Sequence, residues 1–174
     1  MSNENFSKKE VIKNIYPLIE NTCMRYNLIP LEVDFTKESG RWFLRIFIYS
    51  NDHDVNHMDC ENISRSLSDF LDELIPVKYY LEVSSPGLER RFKSEKEYII
   101  FCGKVIEMKL KTPLEGETEK LFKALLLDYN EGVGATVERL SDGKELTISL
   151  DNVFSSRLCF EENEKQYKKE IDND

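Results

Sequence analysis

The chain has 174 residues, 40% hydrophobic and 33% charged, a balance that builds a core and excludes wholesale disorder. Its 24 Lys and Arg stand against 33 Asp and Glu, a formal net charge of −9. A uniformly basic coat that grips any nucleic acid by counterion release is thereby excluded, so contact with RNA needs a local patch or a protein partner.

Ser7-Lys8-Lys9-Glu10 reads as a capping box, with the Ser hydroxyl accepting from the N3 amide while Glu10 reaches back. Apolar residues recur at Val11, Ile12, Ile15, Ile19 and Cys23, one face of a helix. Pro17 interrupts it and predicts a kink, because its ring removes an amide and crowds the preceding turn. Asn27 is placed to stop the helix in the left-handed region.

Two strands follow. Leu31, Val33 and Phe35 alternate with Glu32, Asp34 and Thr36, and Ser39-Gly40 turns the chain. Trp42, Leu44, Ile46 and Ile48 then alternate with Arg41, Phe43, Arg45, Phe47 and Tyr49, which predicts a hairpin with one face packed. A second helix opens at Asn56 with Asp59 at N3, and Cys60, Ile63, Leu67, Phe70, Leu71 and Leu74 form its expected buried stripe. Pro76 ends it, and a third strand sets Val77, Tyr79, Leu81 and Val83 against Lys78, Tyr80 and Glu82. Two helices on one face of a three-stranded sheet complete a small domain near Ser84. Ser85-Pro86-Gly87 breaks regular structure.

Beyond the break, Ser94 to Glu97 forms another capping box over a short helix to about Phe101. Five strand-like runs follow: Val105 to Leu110, Lys120 to Leu127, Val133 to Arg139, Lys144 to Leu150 and Phe154 to Phe160. Turn signals at Glu115-Gly116, Asn130-Glu131-Gly132 and Ser141-Asp142-Gly143 separate them, a spacing that suggests a small closed barrel of SH3 or Sm type. Residues 161–174 carry 3 basic and 6 acidic groups, which predicts a disordered tail.

Cys23, Cys60, Cys102 and Cys159 contain no CxxC pair, so reduced thiols fit better than zinc ligands or a secreted disulfide framework. No apolar run follows the charges of MSNENFSKKE, and the longest apolar stretches, around Ile99 to Cys102 and Ala124 to Leu127, are too short to span a bilayer. A cytoplasmic protein without a signal peptide is expected.

Little in the chain points to catalysis. His53 and His57 lie four apart, but His53 precedes the cap at Asn56, so the two do not share a helical face for a metal. Asp52, Asp54 and Asn56 imitate the start of a calcium loop, yet His57 replaces the turn Gly and Ile63 the bidentate Glu. Ser84 and Ser85 sit in a sharp turn without a G-x-S-x-G elbow, and no glycine loop is arranged to cradle phosphate. More informative is the outward row Arg41, Phe43, Arg45, Phe47 and Tyr49, extended by Lys78 and Tyr80, since aromatics with cations on an open sheet stack bases or hold phosphates. The same pattern also suits the half-exposed side of a sheet, and Glu32 and Asp34 dilute its field. Arg90, Arg91 and Lys93, with Lys96 nearby, form a second basic cluster that reads equally as a phosphate clamp or a solvated linker.

The run LEVSSPGLER at Leu81 to Arg90 resembles the signature segment of the bacterial ribosome maturation factor RimP family. Similarity continues upstream through RIFIYSNDHDVNHMDCENISRSLSDFLD, Arg45 to Asp72, and downstream through Phe101-Cys102-Gly103-Lys104-Val105, Lys120 to Leu126, Asn152-Val153 and Arg157-Leu158. The chain departs from the family pattern at Tyr49, Asp54 and Arg91, where members commonly carry Asp, Gly and Pro. The resemblance implies an N-terminal α/β domain, a C-terminal Sm-like barrel, and a non-enzymatic factor that joins the free small ribosomal subunit late in maturation. It further implies that the barrel assists incorporation of the decoding-centre ribosomal protein.

The resulting expectation is an α+β protein. An αββαβ domain over residues 1–84, with two helices on one face of a three-stranded sheet, leads through a linker at 85–92 to an Sm/SH3-like β-barrel at 93–160 and a disordered acidic tail at 161–174. The expected partners are the free small subunit, its 16S rRNA and the decoding-centre protein, with no membrane, small-molecule substrate, cofactor or metal, and the chain is expected to be monomeric. Arg90, Arg91, Lys93, Lys104, Arg41 and Arg45 are the expected contacts to rRNA or ribosomal protein, and Ser84, Ser85, Pro86 and Gly87 the expected inter-domain turn. The rival readings are a KH-like RNA-binding module, which lacks a GxxG loop, a peptide-gripping scaffold, and a hydrolase using Ser84 or Ser85.

Overall fold

A computed structural model of the protein describes residues 5–163, 165 and 169. The fold is α+β, with a three-stranded sheet and a separate five-stranded sheet, and the chain divides into two units, Met1–Pro86 and Gly87–Asp174.

In the first unit, helix α1 (Lys8–Arg25) runs through Pro17 as one element, the proline ring lying on the exposed side. Its start departs from expectation. Ser7 is the N-cap but its hydroxyl makes no capping hydrogen bond, and only its carbonyl is used, accepting from the Val11 N–H at 3.0 Å. The other end follows the sequence: Asn27 has φ 56°, its N–H donates to Met24 O at 3.0 Å, and the Leu28 N–H donates to Cys23 O at 2.9 Å. Those paired bonds satisfy carbonyls that the last helical turn leaves open.

Strands β1 (Ile29–Glu38) and β2 (Arg41–Tyr49) pair antiparallel across Ser39 (φ 49°) and Gly40 (φ 79°). Two successive left-handed residues make the tight turn whose twist matches the flanking strands. Helix α2 (His57–Leu74) is fixed at its start by a reciprocal box: the Asp59 N–H donates to Asn56 Oδ1 at 3.0 Å and the Asn56 N–H to Asp59 Oδ2 at 3.0 Å. Strand β3 (Tyr79–Ser84) then lies parallel to β2, giving the order β1-β2-β3.

The core lies between both helices and one sheet face. Val11, Ile15, Ile19 and Cys23 of α1 and Ile63, Leu67 and Leu71 of α2 cluster with Phe35, Trp42, Leu44, Ile46 and Ile48. Each large aliphatic side chain so buried contributes about 1.5–3 kcal/mol. Phe70 and Leu74, expected in the buried stripe, are instead exposed, although the 100° step sets both close to the Ile63-Leu67 line; Leu74 is the last residue of α2.

In the second unit, short helix α3 (Lys96–Ile100) precedes β4 (Val105–Leu110), β5 (Leu121–Asn130), β6 (Gly134–Arg139), β7 (Glu145–Ile148) and β8 (Val153–Leu158), with a 3-10 turn at Leu150–Asn152. The order is β7-β6-β5-β4-β8, every neighbour antiparallel. Among the described residues no ladder joins β7 to β8, so hydrogen bonding does not close the five strands into the expected barrel. Val105, Ile106, Met108, Leu110, Ala124, Leu126, Ala135, Val137 and Ile148 are buried with Tyr98 and Phe101. Gly134 is required by this packing: a Cβ there would stand 2.1 Å from Ile148 O, and its φ of 136° is open only to glycine.

Two expectations about the ends of this unit are corrected. Residues 90–92, expected in the linker, pair with β8: the Phe92 N–H donates to Ser156 O at 2.8 Å and the Leu158 N–H to Arg90 O at 2.9 Å. Residues 161–163, at the start of the expected disordered tail, are helical. Asn163 clamps them, its Oδ1 accepting from the Val105 N–H at 2.6 Å and its Nδ2 donating to Val105 O at 3.0 Å. Of the rest of that tail, residues 164, 166–168 and 170–174 lie outside the described residues.

Candidate nucleic-acid interface

The helices cover one face of the first sheet and leave the other open. Period-two alternation sends Arg41, Phe43, Arg45, Phe47 and Tyr49 to that open face of β2, where register sets Phe43 beside Tyr80 and Arg45 beside Glu82 of β3. The Phe43 and Tyr80 rings meet with centroids 5.6 Å apart, and Tyr80 remains 41% exposed. The Arg41 guanidinium lies 5.7 Å from the Tyr80 centroid and Lys78 Nζ 6.0 Å from it, within cation–π range.

Arg45 behaves differently from Arg41. Its guanidinium donates to both Glu38 carboxylate oxygens, at 2.6 and 3.0 Å, and through Nε to Glu82 at 2.8 Å. These hydrogen bonds hold the Glu38 carboxyl below its ordinary range and push the Arg45 guanidinium up. An arginine shared by two carboxylates offers no net positive charge, so Arg45, expected as a contact to rRNA or ribosomal protein, acts on this face as the partner of Glu38 and Glu82. Sequence alternation placed Arg45 on the open face but could not show that Glu38, from the far end of β1, reaches across to it.

The basic run after the unit boundary is also divided. Arg90 is 7% exposed and forms an ion pair with Glu97, itself 1% exposed. The same carboxylate accepts from the Lys93 N–H at 2.6 Å and the Ser94 N–H at 3.0 Å. Glu97 therefore performs the back-reaching half of the expected capping box while also holding Arg90. Arg90 cannot reach an external phosphate without abandoning a buried carboxylate, a rearrangement costing several kcal/mol, and its expected contact role is corrected on that ground. Arg91 and Lys93 are exposed, as is Lys104 in the turn before β4.

Ser84 closes β3 opposite Phe47, and residues 85–87 run without regular structure across the boundary between the two units. His53 is engaged elsewhere, with Nε2 2.8 Å from Asp59 Oδ2 and Nδ1 3.2 Å from Ser50 Oγ, so it braces the cap of α2. The Asn56 backbone N–H, with His53 after it, holds the Asp59 carboxyl below its ordinary value. Among the described residues no three His, Cys, Asp or Glu side chains are grouped to hold a metal ion, and no helix is long and apolar enough to cross a membrane.

Residues that sequence reasoning missed are Glu38, Glu82 and Glu97, the carboxylates that decide which cations are spent. With that geometry in place, comparison with family models is specific: residues 18–89 match the RimP N-terminal domain, a stretch from the middle of α1 through all three strands of the first sheet to the start of the second unit.

Proposed function

We propose that the chain, whose residues 18–89 match the RimP N-terminal domain, is a ribosome maturation factor of the RimP family that binds the free small (30S) ribosomal subunit during late assembly and assists incorporation of its decoding-centre protein. The match over residues 18–89 is the observation that carries this reading. The action is chaperone-like and non-enzymatic, in the cytoplasm: the protein holds one conformer of an immature 16S rRNA and protein surface and then leaves. Such a factor shifts the subunit's conformers only by the difference in its affinity for them.

The second unit we read as an Sm-like barrel carrying the ribosomal-protein contact. Support for this is the return of β8 to lie beside β4, together with register shifts between Lys109/Leu110 and Leu126/Asp128, the kind of irregularity by which sheets curl. The contact cations we assign are Arg91, Lys93 and Lys104 in the second unit and Arg41 in the first, all exposed. Depleting the protein in its own cell tests the reading through sucrose-gradient profiles. The expected result is a rise in free small subunits with unprocessed 16S rRNA; an unchanged profile, or a defect confined to large subunits, overturns it.

A further inference from the structure

We propose that the end of the first sheet's open face formed by Arg41, Phe43, Lys78 and Tyr80 binds single-stranded RNA, stacking a base on Tyr80 while Arg41 and Lys78 hold the adjoining phosphates. The inference deepens the reading above, on which it rests for the identity of the RNA met in the cell.

Charge distribution across the face is what selects this end. On β1 and β3 the open face carries Glu32, Asp34, Glu38 and Glu82, enough to repel a phosphate chain if they acted together. Arg45 gathers Glu38 and Glu82 into one cluster. Among the described residues no carboxylate is ion-paired with Arg41 or Lys78, and the contact that each makes is with the Tyr80 ring. Two cations with no carboxylate ion-paired to either thus flank the half-buried Phe43 and exposed Tyr80 rings; Glu38, the register partner of Arg41, is held by Arg45, and Glu32 and Asp34 lie toward the opposite end of the strands.

Stacking on an aromatic side chain is open to any base with an exposed π-face, which a single strand offers and a duplex does not. The arrangement therefore discriminates by strandedness more than by sequence. An acidic peptide could meet the two cations but would leave the ring pair unused.

The test uses the full chain and a fluorescently labelled oligouridylate of about ten nucleotides, with an RNA duplex of equal length and a polyglutamate peptide as competitors. Wild type should bind the single strand at least about tenfold more tightly than the duplex. Tyr80→Ala should weaken it about tenfold, the loss of one stacked base, and Tyr80→Trp should retain it. Arg41→Gln and Lys78→Gln should each lower the slope of log K against log salt by about 0.7. Arg45→Ala should also weaken binding, by returning Glu38 and Glu82 to the face. All variants should keep the wild-type circular dichroism and melting temperature, since these side chains lie outside the core.

Absence of oligouridylate binding at about 50 mM salt, equal affinity for duplex, displacement by polyglutamate at matched charge, or a Tyr80→Ala variant that binds as wild type each overturns the proposal. Loss of oligonucleotide binding with small-subunit binding retained would be a failure of the family reading's RNA contact on this face alone. Oligonucleotide binding without any binding to small subunits would instead leave the face intact and remove the maturation role.

Discussion

Replacing Arg90 by Met strands the Glu97 carboxylate, which is 1% exposed and bonded otherwise to the Lys93 and Ser94 amides. Removing one partner of a buried pair costs about 3–5 kcal/mol. The two amide donors remain, and Met refills much of the arginine stem's volume, so the lower end, about 3 kcal/mol, is expected. With a urea m-value of about 1.5 kcal/mol/M, the midpoint of the second unit falls by about 2 M. Trp42, the single tryptophan, reports the first unit, so the assay follows the NMR ring signals of Tyr98, packed edge-on to Phe92 at 4.9 Å. Adding Glu97→Gln to Arg90→Met removes the stranded charge yet leaves an oxygen for both amides, and should restore most of the loss. A midpoint shift below about 0.5 M would refute the assignment of Arg90 to the interior. So would a stably folded Arg90→Met protein that had lost its affinity for ribosomal subunits.

Three further outcomes follow from the geometry. Gly134→Ala should destabilise the second unit by about 3 kcal/mol or more, since the new methyl meets the Ile148 carbonyl and the backbone cannot keep a φ of 136°; thermal melting reads it. Arg139, with the Lys144 amide, holds the Asp142 carboxyl down from 3.8 to about 2, so its stabilising share is present above about pH 4 and lost as pH falls toward 2. An NMR titration should place the Asp142 midpoint near 2 and return it toward the ordinary value in Arg139→Gln. Burial pushes the Cys23 thiol up to about 12 while Cys102 lies exposed, so a thiol-reactive dye at pH 8 should label Cys102 in the folded protein and Cys23 only on unfolding.

Local signals in the sequence carried the first unit well because each element there obeys a short-range rule. Asn27 adopts the left-handed stop, Ser39-Gly40 the tight turn, and Asn56 with Asp59 the reciprocal cap, and all three depend only on residues within a few positions. Where a rule needed a partner far along the chain, legibility failed. Whether Arg90 is a surface cation depends on a carboxylate seven residues on and on the amides it also serves. Whether Arg45 is available depends on Glu38 and Glu82, from two other parts of the sheet. The helical start of the acidic tail depends on Asn163 finding both backbone groups of Val105, 58 positions away, which no composition rule encodes. Ser7 shows the opposite error: the pattern of a capping box was present, but its hydroxyl was not recruited.

Co-sedimentation of the purified protein with separated small subunits, large subunits and whole ribosomes, each at low and moderate salt, tests the role in small-subunit maturation. Selective travel with free small subunits, weakened but not abolished by salt, is the expected result. Travel with none of them, or equally with all three, would contradict it.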